Sequence, residues 1–301
     1  MVEIKIKYNQ GVAIILVMLV VTLATTLAIY IANQQTLWQR QVESQFERAQ
    51  ARQLGMAGIN WARAVLAEDQ RTTTIDSDKE IWALRLPAIP VEGGEVIGAI
   101  EDRQGLYNLN NVASNVAQFQ RLLNVLGLPE ELAATLADWE DADSDTLPGG
   151  AEDNYYLGLA QPYRAANRSL AEIGELIKVK GYDSKTIDTL RPFVTVLPAT
   201  RTAINVNFAP AEVLVAVVEG LSLSDARALV QMRQNEPFRD KVSFKQLLPQ
   251  AGKNVMDDQV DVKSDFFWVT GRATVGKSQV LTQALLQRAV NWPSVVWQSV
   301  Q

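Results

Sequence analysis

A chain of 301 residues has room for two folded regions built around separate cores. Its net charge of −6 and pI near 5.0 weigh against a general affinity for nucleic acid phosphates. It has no cysteine for a disulfide or thiolate zinc site, and no histidine, the commonest general base, so catalysis would rest on carboxylates or lysine.

The first predicted element is a membrane anchor. Residues 11–32, GVAIILVMLVVTLATTLAIYIA, carry no charge over 22 residues. At about 1.5 Å per residue, such a helix crosses a hydrocarbon core of about 30 Å. Lys5 and Lys7 against Glu3 put the short amino end in the cytoplasm and the bulk of the chain across the membrane. A cleaved secretory signal is the rival reading, but its apolar core is usually about 7–15 residues and ends at an A-x-A site, which is lacking here. Beyond Asn33 the helical spacing continues through Trp38, Val42, Phe46 and Ala49, interleaved with Arg40, Glu43, Glu47 and Arg48. One long helix is therefore expected to about Asp69, half in lipid and half packed on a globular head, with this apolar stripe as its core-packing face.

This arrangement resembles the type IV pilin and type II secretion pseudopilin family, in which prepilin peptidase cuts after a leader ending in glycine and the long helix stacks into a filament. The resemblance implies a leader at 1–11, a processing junction between Gly11 and Val12, and a membrane-spanning part at 12–32. Most members carry glutamate five residues into the mature helix, where this chain has Leu16. That substitution resembles the K branch of minor pseudopilins, thought to sit at the filament tip.

Gly93-Gly94 breaks the chain, and 95–102 reads as a short strand. From Val112 to Leu248 the texture is helical, in NVAQFQRLLNVLG, EELAATLADW, SLAEIGELIKV, AEVLVAVVEG and DARALVQMR, with Gly127, Gly181 and Gly220 at expected helix ends. Past Ser264 the aromatic and β-branched run FFWVTGRATV predicts strand again. The expected fold is α+β: a long N-terminal helix on a small antiparallel sheet, interrupted by an all-α insertion with helix-hairpin-helix elements. The divisions read as 33–107 and 251–301 for the sheet-bearing domain and 108–250 for the insertion. Within 278–290 a return strand is expected, although the leucine spacing also permits a helix.

The acidic segment DWEDADSDTLPGGAEDNYY holds seven carboxylates from Asp138 to Asp153 and no basic residue. Carboxylates so crowded raise one another's pKa unless a cation relieves them. Asp141, Asp143 and Asp145 alternate like ligands 1, 3 and 5 of an EF-hand loop, Leu147 could offer its carbonyl from position 7, and Glu152 falls at position 12. Thr146 stands where that loop needs glycine and Pro148 interrupts it, so a Ca2+ loop of another geometry competes with a merely solvated acidic turn. A glycoside-hydrolase pair needs two carboxyls in different environments across a cleft, which one acidic loop does not provide.

An internal echo follows. Asn108-Leu109-Asn110, a helix, Gly127-Leu128 and a second helix recur as Asn205-Val206-Asn207, a helix, Gly220-Leu221 and a second helix. The second copy looks like a helix-hairpin-helix element that grips DNA phosphate, but its turn, EGLSLSDA, lacks the second glycine and carries acidic neighbours. A packing unit is the expected role.

With EDRQGLYNLN, the acidic segment, QPYRAANRSLAEIGELIKVKGYD, LRPFVTVLP and INVNFAPAEVLVAV stand in the order seen in the general secretion pathway protein K family. The resemblance implies a structural, non-catalytic subunit of the inner membrane with a periplasmic head. It further implies a tip complex with minor pseudopilins I and J, joined by H, that starts the pseudopilus and limits its growth. Prepilin peptidase, the inner-membrane secretion platform and the lipid bilayer are the other implied partners, and nucleic acid is not one. Ca2+ is the implied ion, with Asp141, Asp143, Asp145, Glu152 and Asp153 as candidate ligands. A membrane-anchored DNA-binding protein and a type IV pilus minor pilin are the alternatives.

Finally, GRATVGKS at 271–278 spells the phosphate-cradling G-x-x-x-x-G-K-[ST] pattern. The 23 residues after Ser278 are too few for the remaining strands and helices of a nucleotide-binding domain. A β-hairpin with Gly276 at the first central position of a type II′ turn accounts for the same letters.

Overall fold

A computed structural model of the chain describes residues 10–85, 87–289 and 291–301. Gln10–Thr72 form one helix, α1, of 63 residues. It contains no proline and no internal stop signal, so nothing breaks its hydrogen-bond ladder. Its apolar first part is wholly exposed, as expected of a span that lipid rather than protein covers. Farther along, the buried stripe is Ala51, Ile59, Ala62 and Leu66. The stripe expected from the sequence to pack on the head, Trp38, Val42, Phe46 and Ala49, lies on another face of the helix and is exposed. The predicted leader falls outside the described residues through position 9, and Gly11–Val12 lies in the first turn of α1.

Three strands follow: β1 (Ile89–Val91), β2 (Gly94–Asp102) and β3 (Tyr107–Asn108). Then come α2 (Val116–Val125), α3 (Glu131–Glu140), α4 (Asp153–Leu157) and α5 (Ser184–Leu190). The pair β4 (Val194–Thr195) and β5 (Ile204–Asn205) precedes α6 (Ala211–Val217), α7 (Leu223–Asn235) and α8 (Lys241–Gln246). The chain ends with β6 (Val260–Asp261), β7 (Phe266–Val275), β8 (Ser278–Gln287) and β9 (Ser294–Val300).

One antiparallel sheet has the order β1-β2-β7-β8-β9. β2 pairs with β7 over its full length, from Gly94 opposite Val275 to Asp102 opposite Phe267, so residues 103–265 leave the sheet between neighbouring strands. Alternate residues of β7 and β8 (Phe267, Val269, Ala273 and Val275; Val280, Ala284 and Leu286) are buried in the clusters that hold the α1 stripe. The stretch 278–287 is thus a strand: period-two burial against α1 wins over its helix-like leucine spacing. Gly55 brings α1 down onto β8, because a Cβ there would lie 2.4 Å from Thr282 Cγ2.

The helical segment has its own core, including Phe119, Leu136, Tyr156, Leu176, Leu214 and Phe244. Val255, Val260 and Val262 belong to it, and β6 pairs in parallel with β5. This moves the sequence boundary at 251: the chain returns to the sheet only at about Asp265, because Val255, Val260 and Val262 pack with the helices. The internal echo is structural. Asn108 Oδ1 accepts from the Asn110 N–H at 3.2 Å, and Asn205 Oδ1 from the Asn207 N–H at 2.9 Å. Each second asparagine then ties down a distant loop in both directions, Asn110 at Leu170 and Asn207 at Phe238. Both copies begin on a two-residue parallel ladder, β3 with β4 and β5 with β6.

Candidate metal centre

The acidic loop leaves the end of α3, a helix whose residues from Leu132 to Glu140 are all buried. Asp138 in its last turn and Asp141 at its C-cap are three residues apart, a spacing that puts both on one face. Glu152, the N-cap of α4, comes back to them. Asp138, Asp141 and Glu152 each place one carboxylate oxygen within 4.8 Å of the others. The backbone N–H of Leu147 lies 3.2 Å from both oxygens of Asp138 and holds that carboxylate.

The electrostatics of this group are unbalanced. Asp141 Oδ1 and Glu152 Oε1 are buried and have no hydrogen-bond partner among the described residues. Burial raises the pKa of Asp138, Asp141 and Glu152, and repulsion from neighbouring carboxylates, Asp143 included, raises all three further. Lys180 draws the Asp138 pKa down, yet its Nζ donates to the Gly150 carbonyl at 3.0 Å. Oxygen ligands with unspent acceptors in an excess of negative charge suit a hard divalent cation, so the residues present fit one.

Of the other candidates, Asp143 and Asp145 are exposed on the loop, where Asp143 Oδ1 accepts from the Asp145 N–H at 2.9 Å. Asp153 turns away: it pairs with Arg164 at 3.1 Å and accepts from the Ala165 N–H at 2.9 Å. The fixed spacing of the EF-hand template starts at Asp141 and so passes over Asp138. The three-residue step from Asp138 to Asp141 at a predicted helix end was the signal that could have found it.

A second group, Asp69, Asp76 and Glu80, has oxygens equally close, but Arg288 already sits in it, 2.9 Å from Asp69 and 2.7 Å from Asp76. The phosphate-loop letters form a hairpin: Gly271–Val275 is the end of β7 and Ser278 opens β8. A strand, not the helix that a phosphate loop requires, follows it.

Residues 105–199 and 204–263 match the family described as type II secretion system (T2SS), protein K. The chain is 34% identical to type II secretion system protein K of Pseudomonas aeruginosa, over 93% of this chain and 89% of that one. It is 32% identical to the protein of the same name from Pectobacterium carotovorum, over 92% of each. A crystal structure of the GspK–GspI–GspJ complex from the enterotoxigenic Escherichia coli type 2 secretion system holds a similar chain. There the TM-score is 0.74 at 27% identity, over 87% of this chain and 99% of that one.

Proposed function

The chain belongs to the type II secretion system protein K family, and from that premise we propose that it is a minor pseudopilin of the pseudopilus tip, initiating assembly and limiting filament length. Its role is structural. α1 anchors it once in the inner membrane with the head in the periplasm, and prepilin peptidase cuts between Gly11 and Val12. Pseudopilins I and J, joined by H, are its partners at the tip, above the inner-membrane platform.

One observation carries this reading. Beyond the membrane span, α1 keeps Trp38, Val42 and Phe46 on its surface at 72%, 60% and 70% exposure, and its own head covers none of them. A contiguous apolar stripe on a helix in water calls for a partner, and a second long helix of the same kind matches its spacing. Leu16 supports the terminal position, since an apolar residue there needs no charged partner from a subunit above. Ca2+ is the ion we assign to Asp138, Asp141 and Glu152; it would neutralise their charge and close the loop between α3 and α4.

Purifying the full chain in detergent with pseudopilins I and J tests the assembly. A complex of all three that survives size-exclusion chromatography is expected, and a chain that elutes alone at concentrations where I and J associate sinks the proposal.

A further inference from the structure

The helical segment is joined to the sheet through a buried knot of charge. Arg288, the residue after β8, reaches Asp69 in the last turn of α1 with Nη2 at 2.9 Å and Asp76 on the following loop with Nη1 at 2.7 Å. Its own side chain is 5% exposed, and those of Asp69 and Asp76 are 8% and 0% exposed. Asp76 also accepts from the Ser264 N–H at 2.8 Å, where the helical segment re-enters the sheet. Asn205, from within that segment, donates to the Asp76 carbonyl at 3.2 Å and to Ser264 Oγ at 2.8 Å. Asp102, the last residue of β2, lies at the other crossing and accepts from the Gly105 N–H. Both strands that connect the two parts therefore pass through one polar cluster.

We propose that this cluster, Asp69, Asp76 and Arg288 with Asp102 beside them, is a proton-operated latch that sets how firmly the helical segment is held on the sheet.

The charges facing one another do not balance. Asp69 meets Glu80, Asp76 and Arg288; Asp102 meets Asp76 and Arg103, with Arg233 of α7 also in range; Asp265 adds a further carboxylate near Arg288, Asp261 and Lys263. Glu80 Oε1 and Asp102 Oδ2 are buried without partners among the described residues. Burial, then repulsion from Glu80 and Asp76, raises Asp69 to about 7. Burial alone dominates at Asp102 and raises it to about 7 as well.

A carboxyl raised when closed holds its proton in the latched form and gives it up on opening. Its stabilisation is complete below the ordinary carboxylate pKa of about 4 and is lost as pH rises towards 7. Opening is then favoured about tenfold per pH unit for each such group across that window, and no further above it. The latch is tight in acid and loose at neutrality.

Hydrogen exchange on the full chain in detergent micelles, corrected for intrinsic rates, tests it at pH 5, 6, 7 and 8. The reporting amides are Asp76, Ser264 and Arg103, which donate across the joint to Val262, Asp76 and Phe266. Their protection is expected to fall at least tenfold from pH 5 to 7 and then level off, while the Val269 amide in the centre of the sheet stays constant. Asp69→Asn, a fixed neutral side chain, is expected to flatten much of the profile, and Asp102→Asn is the second variant should the first not fold. Joint protection that does not change with pH, a fall shared equally by Val269, or a profile unmoved in a folded variant overturns the latch.

Discussion

Glu47, midway along α1, accepts hydrogen bonds from the Lys277 backbone N–H at 3.1 Å and from the Ser278 hydroxyl at 3.3 Å. These are the lysine and serine of the sequence that spells a phosphate loop, and the anion they bind is a carboxylate of the protein itself. The contact pins the β7–β8 turn to the helix on which the sheet packs.

Nucleotide binding and turn stability therefore separate in their response to substitution. Gly276 has φ of +54°, and a Cβ there would lie 2.0 Å from Glu47 Oε1. We expect Gly276→Ala to cost more than about 1 kcal/mol in chemical unfolding, from backbone strain and this clash together. Glu47→Ala should cost about 1 kcal/mol for the lost hydrogen bonds. Lys277→Ala should stay within about 0.5 kcal/mol, since its side chain enters neither contact. Magnesium ATP should leave the thermal midpoint unchanged; a rise of several degrees would restore the nucleotide reading.

The contact of Gly55 with Thr282 makes a second prediction. A methyl at residue 55 meets Thr282 Cγ2 at 2.4 Å but Oγ1 only at 3.3 Å. Gly55→Ala should therefore destabilise the protein by about 1–3 kcal/mol as α1 is pushed off the sheet. Thr282→Ser removes the offending methyl, so the double variant should recover most of that loss. Additive losses in the double-mutant cycle would show that the two residues do not share the strain.

Much of the fold was legible because the informative signals were local. α1 is an unbroken apolar run with continued helical spacing, although its large apolar residues Trp38, Val42 and Phe46 mark an exposed face and the head packs on Ala51, Ile59 and Ala62. The insertion shows as a change from period two to period 3.6 and back at Phe266. The asparagine echo was visible as letters, and its hydrogen bonds give it a physical basis. What stayed hidden depends on partners distant in sequence. Val260 reads as the approach to a strand, and only its pairing with Ile204 assigns it to the helical part. Leu281, Leu285 and Leu286 suit a helix until β7 supplies a ladder. At the candidate metal centre the composition marked the segment, but the return of Glu152 onto Asp138 follows from how α3 and α4 pack, and Asp153 met Arg164 instead.

Ca2+ should stabilise the protein in a way that depends on pH and on particular carboxylates. The pKa values of Asp138, Asp141 and Glu152 are raised in the folded chain, chiefly by burial. Without metal, their contribution to stability is greatest below the unfolded carboxylate pKa and is lost as pH rises through the raised values. The cation binds the ionised form, so the gap in thermal midpoint between Ca2+ and chelator should widen from pH 5 to pH 7. At a hundred times the dissociation constant, binding adds about 2.7 kcal/mol. Asp141→Asn and Glu152→Gln should remove most of the gap. Asp153→Asn should keep it, losing only an exposed ion pair worth about 0–1 kcal/mol. A gap that Asp153→Asn abolishes and Asp141→Asn leaves intact would move the site.

The last prediction concerns the uncovered stripe of α1. Phe46 and Trp38 are 70% and 72% exposed and touch no core of their own head, so replacing either with aspartate should change folding stability by no more than about 0.5 kcal/mol. In a complex with a second long helix the same side chains would be buried, and a carboxylate there would be desolvated without a partner. Phe46→Asp should thus abolish co-elution with pseudopilins I and J and stop export in cells, while the circular dichroism spectrum and thermal midpoint match the parent. Phe46→Leu, which keeps an apolar contact, should retain both, and this separates a packing surface from a residue needed for its size alone. Normal co-elution by both aspartate variants would mean that the stripe is covered by something other than a companion helix.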